Sequence, residues 1–379
     1  MIRLATVRDA LLPAFARTIR PPSAGDLNHI LIFQPDHLGD IVLSEPVVRL
    51  LRERLPEARL TAVVGPWSAR IARLAWPVDD VVEVDFPGFN RIAGRASFSA
   101  PYRQIERDAL RLRELGAGRA VILRDDAWWA AALARASVSG DVIAAADRRN
   151  QPFATRTVDL DSRPHRSQRA LALAAELLGL WGDSVPVGTR WDMSPRMSAD
   201  EWQVEAGRAL LLQQGIEGPY IAQHPGAGAA VKTWPEGNWR AVVRAFPDIR
   251  FVLTGSEAEA TTCERIASGL PNAVSIAGAT TLDSLIGVLA GARLAVGTDN
   301  GPMHVAAALG TPTVRLYGPS NPAIYGPPPG ASGHHVVSAG WRCPRCEDLS
   351  PTRPVCGCMT AITVPAVVMA IQEALADAA

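Results

Sequence analysis

Three short segments carry the residue types that can do chemistry at a strand-to-helix turn. The first is QPDHLGD, residues 34–40. Asp40 sits beside Gly39 where an apolar run gives way to a helix-forming one. A carboxylate there can act as a base or cap the helix amides. Asp36 and His37 share the loop. The second segment is HPGAGAAVKTWP, 224–235. Of the 38 Lys plus Arg in the chain, Lys232 is the single lysine. Surface cation positions elsewhere carry arginine, so this position asks for something a guanidinium does not supply. A compact ammonium suits a phosphate or a departing diphosphate. Gly226 and Gly228 let the backbone come close to a ligand, and Thr233 follows at the entry to a helix whose first amides suit anions. The third segment is GTDNGPMHVAAALG, 297–310. Thr298, Asn300, Gly301 and His304 lie at another strand-to-helix turn and can contact phosphate or sugar. Asp299 repels phosphate, and fits sugar hydroxyls or a helix cap better.

Two further groups stand out. Arg124, Asp125 and Asp126 end a strand of the first half. They can position acceptor hydroxyls or simply pair with one another, and Trp128 and Trp129 after them read as core. WRCPRCEDLSPTRPVCGCM places Cys343, Cys346, Cys356 and Cys358 within sixteen residues, four of the chain's five cysteines. CxxC followed by CxC is spacing for a structural zinc or iron, and a tetrathiolate site has no open position for catalysis. Four incidental thiols are the plainer alternative. Cys263 stands apart and reads as core.

The elements that must position these residues alternate. HILIF (29–33) is a continuous apolar run, the pattern of a buried parallel strand. RLTAVVG (59–65), DVVEVD (80–85), RAVILRD (119–125) and DVIAAA (141–146) follow, with helical segments between most of them. QRALALAAELLGLWG (168–182) predicts an amphipathic helix stopped by Gly182. A polar stretch, 182–195, reads as a linker. The rhythm then restarts with YIAQHPG (220–226), FVLTG (251–255), AVSIAG, RLAVGTDNG and PTVRLYG, each followed or preceded by a helix. Two successive runs of alternating β and α units predict two Rossmann-like domains. Parallel sheets bind ligands outside the carboxyl ends of their strands, so the cleft between two such domains is the expected site.

Composition narrows the class. The 379 residues exceed one core, and 48% hydrophobic with 20% charged residues describes a globular chain. Formal net charge is zero, which gives no signal for nucleic acid. No apolar run approaches a membrane span, and the N-terminal residues do not read as a secretory signal. A cytoplasmic location is expected, with few cysteines for a disulfide scaffold. The first twenty residues predict an amphipathic helix bearing Arg3, Arg8, Arg17 and Arg20, stopped by Pro21 and Pro22. It can pack on the body or meet an anionic membrane surface or a subunit.

Together the three segments resemble the ADP-heptose:lipopolysaccharide heptosyltransferases, glycosyltransferase family 9. The chain reads DHLGD at 36–40, HPGAGAAVKTWP at 224–235 and GTDNGPMHVAAALGTP at 297–312. The order and spacing of the motifs, more than any one of them, carry the resemblance. It implies an α/β, GT-B fold: two Rossmann-like domains facing each other across a cleft. Residues 1–28 would be an N-terminal extension, 29–190 the acceptor domain and 191–360 the nucleotide-sugar domain with the four-cysteine element. Residues 361–379 would be a helix packing back toward the first domain. The resemblance also implies an inverting transfer with no cofactor for catalysis. Asp40 would be general base. Lys232 and the 297–304 loop would hold the donor, with Glu259 on the ribose. Asp36, His37, Arg124 and Asp125 would face the acceptor. The implied partners are ADP-heptose or a related nucleotide sugar and a lipopolysaccharide core acceptor at the inner membrane surface, where the enzyme would be peripheral. Nucleic acid is not a partner, and a homo-oligomer stays open. The alternatives are the same fold acting on a protein or small molecule, since protein-glycosylating relatives carry a cysteine-bound iron, or an inactive GT-B scaffold.

Overall fold

The computed structural model describes residues 4–89, 100–161, 163, 165–180, 192–328, 330–340 and 357–377. The chain divides into two compact units, Met1–Met193 and Ser194–Ala379.

The first unit runs α1 (Leu4–Ala16), β1 (Asp26–Gln34), α2 (Leu38–Arg54), β2 (Arg59–Val64), α3 (Pro66–Ala75), β3 (Asp80–Glu83) and α4 (Ala100–Arg113). It continues with β4 (Ala117–Ile122), α5 (Trp128–Ser137), β5 (Val142–Ala145), β6 (Arg156–Val158) and α6 (Arg166–Leu177). All strand pairs are parallel, in the order β3-β2-β1-β4-β5-β6. β1 is central, and Ile30, Leu31, Ile32 and Phe33 are fully buried, as the continuous apolar run requires when helices cover both faces. Trp128 and Trp129 lie in the core beside Phe86 and Phe153.

α1 packs on the body. Leu12 is buried, Phe15 meets Tyr102 edge-on at 4.8 Å, and the Arg8 guanidinium lies 5.5 Å from the Trp128 ring centroid. The helix predicted to run to Gly182 ends at Leu177 instead. Gly179 takes φ 67°, and the amides of Gly179 and Leu180 bond back to Glu176 and Ala175. This is a left-handed helix stop that glycine takes without a Cβ penalty.

The second unit runs α7 (Glu201–Gln213), β7 (Tyr220–His224), α8 (Glu236–Arg244), β8 (Arg250–Leu253), α9 (Ala260–Ala267), β9 (Ala273–Ser275) and α10 (Leu282–Ala290). It continues with β10 (Leu294–Thr298), α11 (Gly301–Ala308), β11 (Thr313–Tyr317), α12 (Pro322–Tyr325), β12 (His334–Ser338), α13 (Gly357–Thr360) and α14 (Val364–Asp377). The parallel order is β12-β11-β10-β7-β8-β9. Trp234 and Trp239 anchor its core edge to face, with ring centroids 4.8 Å apart. α14 buries Val367, Ile371 and Ala374 and packs on α8, β11 and β12 of this same unit.

Counted from its own first strand, each sheet has the same order, 3-2-1-4-5-6. The connections reverse direction between the first and fourth strands. That point opens a crevice at the carboxyl ends of β1 and β4 in one unit and of β7 and β10 in the other.

Candidate active site

In the second unit, the segments singled out by sequence converge at the β7/β10 crevice. His224 ends β7, Lys232 ends a short 3₁₀ turn at Ala230–Lys232, and Thr298 ends β10. Asn300 caps α11, its Oδ1 accepting from the Met303 amide at 3.1 Å. The two loops are tied together through one carbonyl: Gly226 O accepts from Thr298 Oγ1 and from Asn300 Nδ2, each at 2.8 Å.

Lys232 pairs with Asp299. Its Nζ lies 2.7 Å from Oδ2 and donates a second bond to the Asp299 carbonyl at 3.3 Å. His304 Nε2 lies 3.5 Å from Oδ1 on the other side. Burial by itself would raise the Asp299 carboxyl. The Lys232 ammonium and the His304 hydrogen bond reverse that and hold it well below the usual carboxylate range. Asp299 therefore stays ionised, and serves as counter-ion to the lone lysine. His304 is buried, and burial pushes its pKa down. His224 is likewise kept neutral by burial, against the pull of Glu259, and shares a hydrogen bond with Thr254 Oγ1.

Glu259 enters this crevice from the β8 side. Its Oε2 accepts from the amide and hydroxyl of Ser256 at 2.8 and 2.7 Å. A Cβ on Gly226 would lie 1.9 Å from its other oxygen. Gly226 is thus required for the carboxylate to stand where it does. Gly228 is exposed, Thr233 is half-buried, and Gly301 opens α11.

The first unit gathers charge at the β1/β4 crevice. Asp40 lies within the first turn of α2, whose N-cap is His37, so it is not the cap. It carries a favourable charge at the helix start and sits 3.3 Å from Arg166 Nε, with its side chain 27% exposed. Asp36 is buried. Its carboxylate pairs with Arg166 at 3.1 Å and with Arg124, while its carbonyl accepts from Trp67 Nε1 and Ser68 Oγ. Each Asp36 oxygen already accepts from an arginine. His37 leans on the Trp67 ring. Arg124 also bonds Asp126 at 2.6 Å and covers the Phe89 ring. Burial would lower the Arg124 pKa, but Asp36 and Asp126 drive it up. Asp125 pairs with Arg166 at 3.0 Å and with Arg169.

Arg166 and Arg169 are the functional candidates that the sequence reading missed. They begin α6, and Arg166 alone touches Asp36, Asp40 and Asp125. The signal was RPHRSQR (163–169), an arginine cluster opposite an acid-rich loop, which a search for apolar periodicity passes over.

Cys343, Cys346 and Cys356 lie outside the described residues. Cys358 is buried in α13. Among the described residues no group of three or more His, Cys, Asp or Glu is placed to hold a metal ion. No described helix is long and apolar enough to cross a membrane. Cys263 is core, as expected, and burial pushes its thiol up to about 12.

Two doubly wound parallel sheets in tandem, each with polar residues at its switch point, define an α/β protein with a fold of GT-B type. Comparison with known proteins narrows the class. A family model described as glycosyltransferase family 9 (heptosyltransferase) matches residues 110–354, and the chain belongs to that family. It is similar to lipopolysaccharide heptosyltransferase 1 of Salmonella typhimurium, 28% identical over 307 residues that cover 78% of this chain and 90% of that protein. Its fold matches E. coli ADP-heptose lps heptosyltransferase II, with TM-score 0.71, 22% identity and coverage of 92% of this chain and 99% of that one. It also matches E. coli heptosyltransferase WaaC with ADP, with TM-score 0.67, 22% identity and coverage of 91% and 99%.

Proposed function

We propose that this glycosyltransferase moves a heptose from ADP-heptose to a hydroxyl of the lipopolysaccharide inner core, with inversion and without a catalytic metal. The observation that carries the donor side is the Lys232–Asp299 pair beside the N-terminus of α11 at the β7/β10 crevice. An ammonium and outward-pointing helix amides suit a diphosphate. Glu259, on the β8 side, suits ribose hydroxyls. The acceptor side is assigned to the β1/β4 crevice, with Asp40 as base and Arg124 and Asp125 beside it.

In the proposed step the acceptor oxygen bonds to the anomeric carbon on the face opposite the nucleotide. The bond from that carbon to the diphosphate oxygen breaks, and its electron pair leaves with ADP. The acceptor proton passes to Asp40. Lys232 and the α11 amides offset the charge developing on ADP, and removing one such donor typically costs about 10²–10³ in rate. The names of the relatives and the matched family support the choice of heptose and of a lipopolysaccharide acceptor. The same acceptor would bring the enzyme to the cytoplasmic face of the inner membrane. The CxxC and CxC spacing alone supports a structural zinc or iron, outside the reaction, and elemental analysis of the purified protein decides it.

Incubation of the enzyme with ADP-heptose and Kdo-lipid A tests the reading. Expected are a heptosylated lipid of inverted anomeric configuration, activity that survives EDTA, and loss of transfer in Asp40→Asn. A product only on peptide acceptors, or full activity in Asp40→Asn, overturns it. Thermal shift gives a second check, since a ligand of the folded state raises the melting temperature. ADP-heptose should exceed UDP-sugars.

A further inference from the structure

Arg315, on β11, is 1% exposed. No carboxylate among the described residues pairs with it, and its Nε has no hydrogen-bond partner. A buried cation of this kind is costly unless it does something for its neighbours. Its Nη1 lies 3.4 Å from Nδ1 of His304. A guanidinium has only N–H groups to offer, so Nδ1 must be the acceptor. The single proton of the neutral ring then sits on Nε2, the atom facing Asp299 Oδ1 at 3.5 Å. Burial, and beside it the charge of Arg315, keeps the ring from taking a second proton. Asp299, with His304 Nε2 3.5 Å from one oxygen, holds Lys232 with the other and with its carbonyl. Two of the three ammonium hydrogens are committed in this way, and that fixes the direction of the third.

We infer that Arg315 is a positioning residue for Lys232, acting through the tautomer of His304 and the carboxylate of Asp299. With His304 neutral, the chain Arg315–His304–Asp299–Lys232 carries one net positive charge. Glu259, on the other side of Gly226, is bonded to Ser256 rather than to either cation. The chain therefore favours an anion beside Lys232, of the nucleoside diphosphate class. This inference rests on the reading of Lys232 as the donor-side cation.

The test uses the full chain and Arg315→Met. ¹⁵N NMR of the histidine side chains reads the tautomer, calorimetry with ADP reads affinity, and steady-state kinetics separates kcat from KM. Wild type is expected to show His304 protonated on Nε2. Arg315→Met should lose that single tautomer, weaken ADP about tenfold and lower kcat about 10- to 100-fold, the scale of a displaced catalytic group. Its melting temperature should hold or rise, because an unpaired buried charge has gone. Arg315→Lys, which can still donate to Nδ1, should restore the tautomer and part of kcat. If Arg315→Met does not fold, Arg315→Lys is read alone, and loss of the tautomer or of kcat there counts against the inference. An Arg315→Met that keeps the tautomer, or keeps kcat within twofold, overturns it. Lys232→Ala in the wild-type background separates the two readings. Normal transfer in that variant removes the donor role, while the NMR still reports whether Arg315 sets the tautomer.

Discussion

Lys232→Met separates the structural role of the lone lysine from its role in transfer. At 2.7 Å from Asp299 Oδ2, and with an effective dielectric of about 20, the attraction is about 6 kcal/mol. Desolvation of both groups offsets part of it. Truncating one partner of a buried pair costs about 3–5 kcal/mol, because the other charge is left behind. Asp299 is only 4% exposed but keeps the His304 bond, so the lower end applies, about 3 kcal/mol. For a unit of this size that is a fall of roughly 6–12 °C in melting temperature. Adding Asp299→Asn removes the stranded charge, and the double variant should recover much of the lost stability. It should not recover transfer, because in the proposed reaction the ammonium itself meets the diphosphate. A deficit of about 10²–10³ in kcat/KM with ADP-heptose should persist in both variants. Lys232→Arg should also fall short in kcat, since a planar guanidinium does not place its charge where the compact ammonium does. Thermal unfolding and steady-state kinetics on the four proteins read all of this. If Lys232→Met melts like wild type, or the double variant regains turnover, the pair does not have the role described.

Gly226→Ala should raise the KM for the nucleotide sugar several-fold with little loss of stability. The new Cβ displaces only the end of the Glu259 side chain, so an unchanged KM would mean that Glu259 does not touch the donor. Arg166→Met should cost about 3 kcal/mol, since Asp36 and Asp125 each retain another arginine, and should slow transfer at least tenfold by releasing Asp40. Urea unfolding together with single-turnover rates checks both parts. Stability should fall as pH drops from 7 to 5. His29, His224, His304 and His334 all have pKa values lowered chiefly by burial. The unfolded chain therefore takes up protons that the folded one refuses, and stability is lost from the ordinary histidine value of 6.5 downward. His334, pushed down to about 4, alone accounts for about 2 kcal/mol across that window. A flat urea midpoint between pH 7 and 5 would contradict this.

The central strands were legible because burial on both faces leaves one kind of residue. HILIF, FVLTG and RLAVG could hardly be anything else. The strands that were missed, β6 and β12, are the last in their sheets, where one edge has no neighbour. Three residues of β6 and the half-exposed pattern of β12 leave no apolar run to read. α7 escaped because its buried positions are few, Gln203, Gly207 and Leu211. In the site, single residues at strand ends were readable from loop chemistry, since strand and helix periodicity fix where the turn falls. Their partners were not. Arg166 is 126 residues from Asp40, and nothing local in either segment records that they meet. Arg315 was hidden for a different reason: within PTVRLYG it reads as a strand residue, and only the fold shows that its charge is buried.

The two crevices share a topology and differ in how their charged groups are arranged, and that difference is in keeping with the proposed division of labour. At β1/β4 each arginine is answered by a carboxylate: Arg124 by Asp36 and Asp126, Arg166 by Asp36, Asp40 and Asp125, Arg169 by Asp125. A network in which carboxylates outnumber arginines offers hydrogen-bonding positions for hydroxyls without drawing in a polyanion. At β7/β10 a single buried aspartate faces both a lysine and, through a neutral histidine, an arginine. With Glu259 at the same crevice the formal charges balance there too, so what suits a departing diphosphate is an ammonium standing next to helix amides, not a net excess of charge. Exchanging the two roles would place a nucleotide diphosphate among Asp36, Asp40, Asp125 and Asp126, where repulsion would oppose both binding and departure.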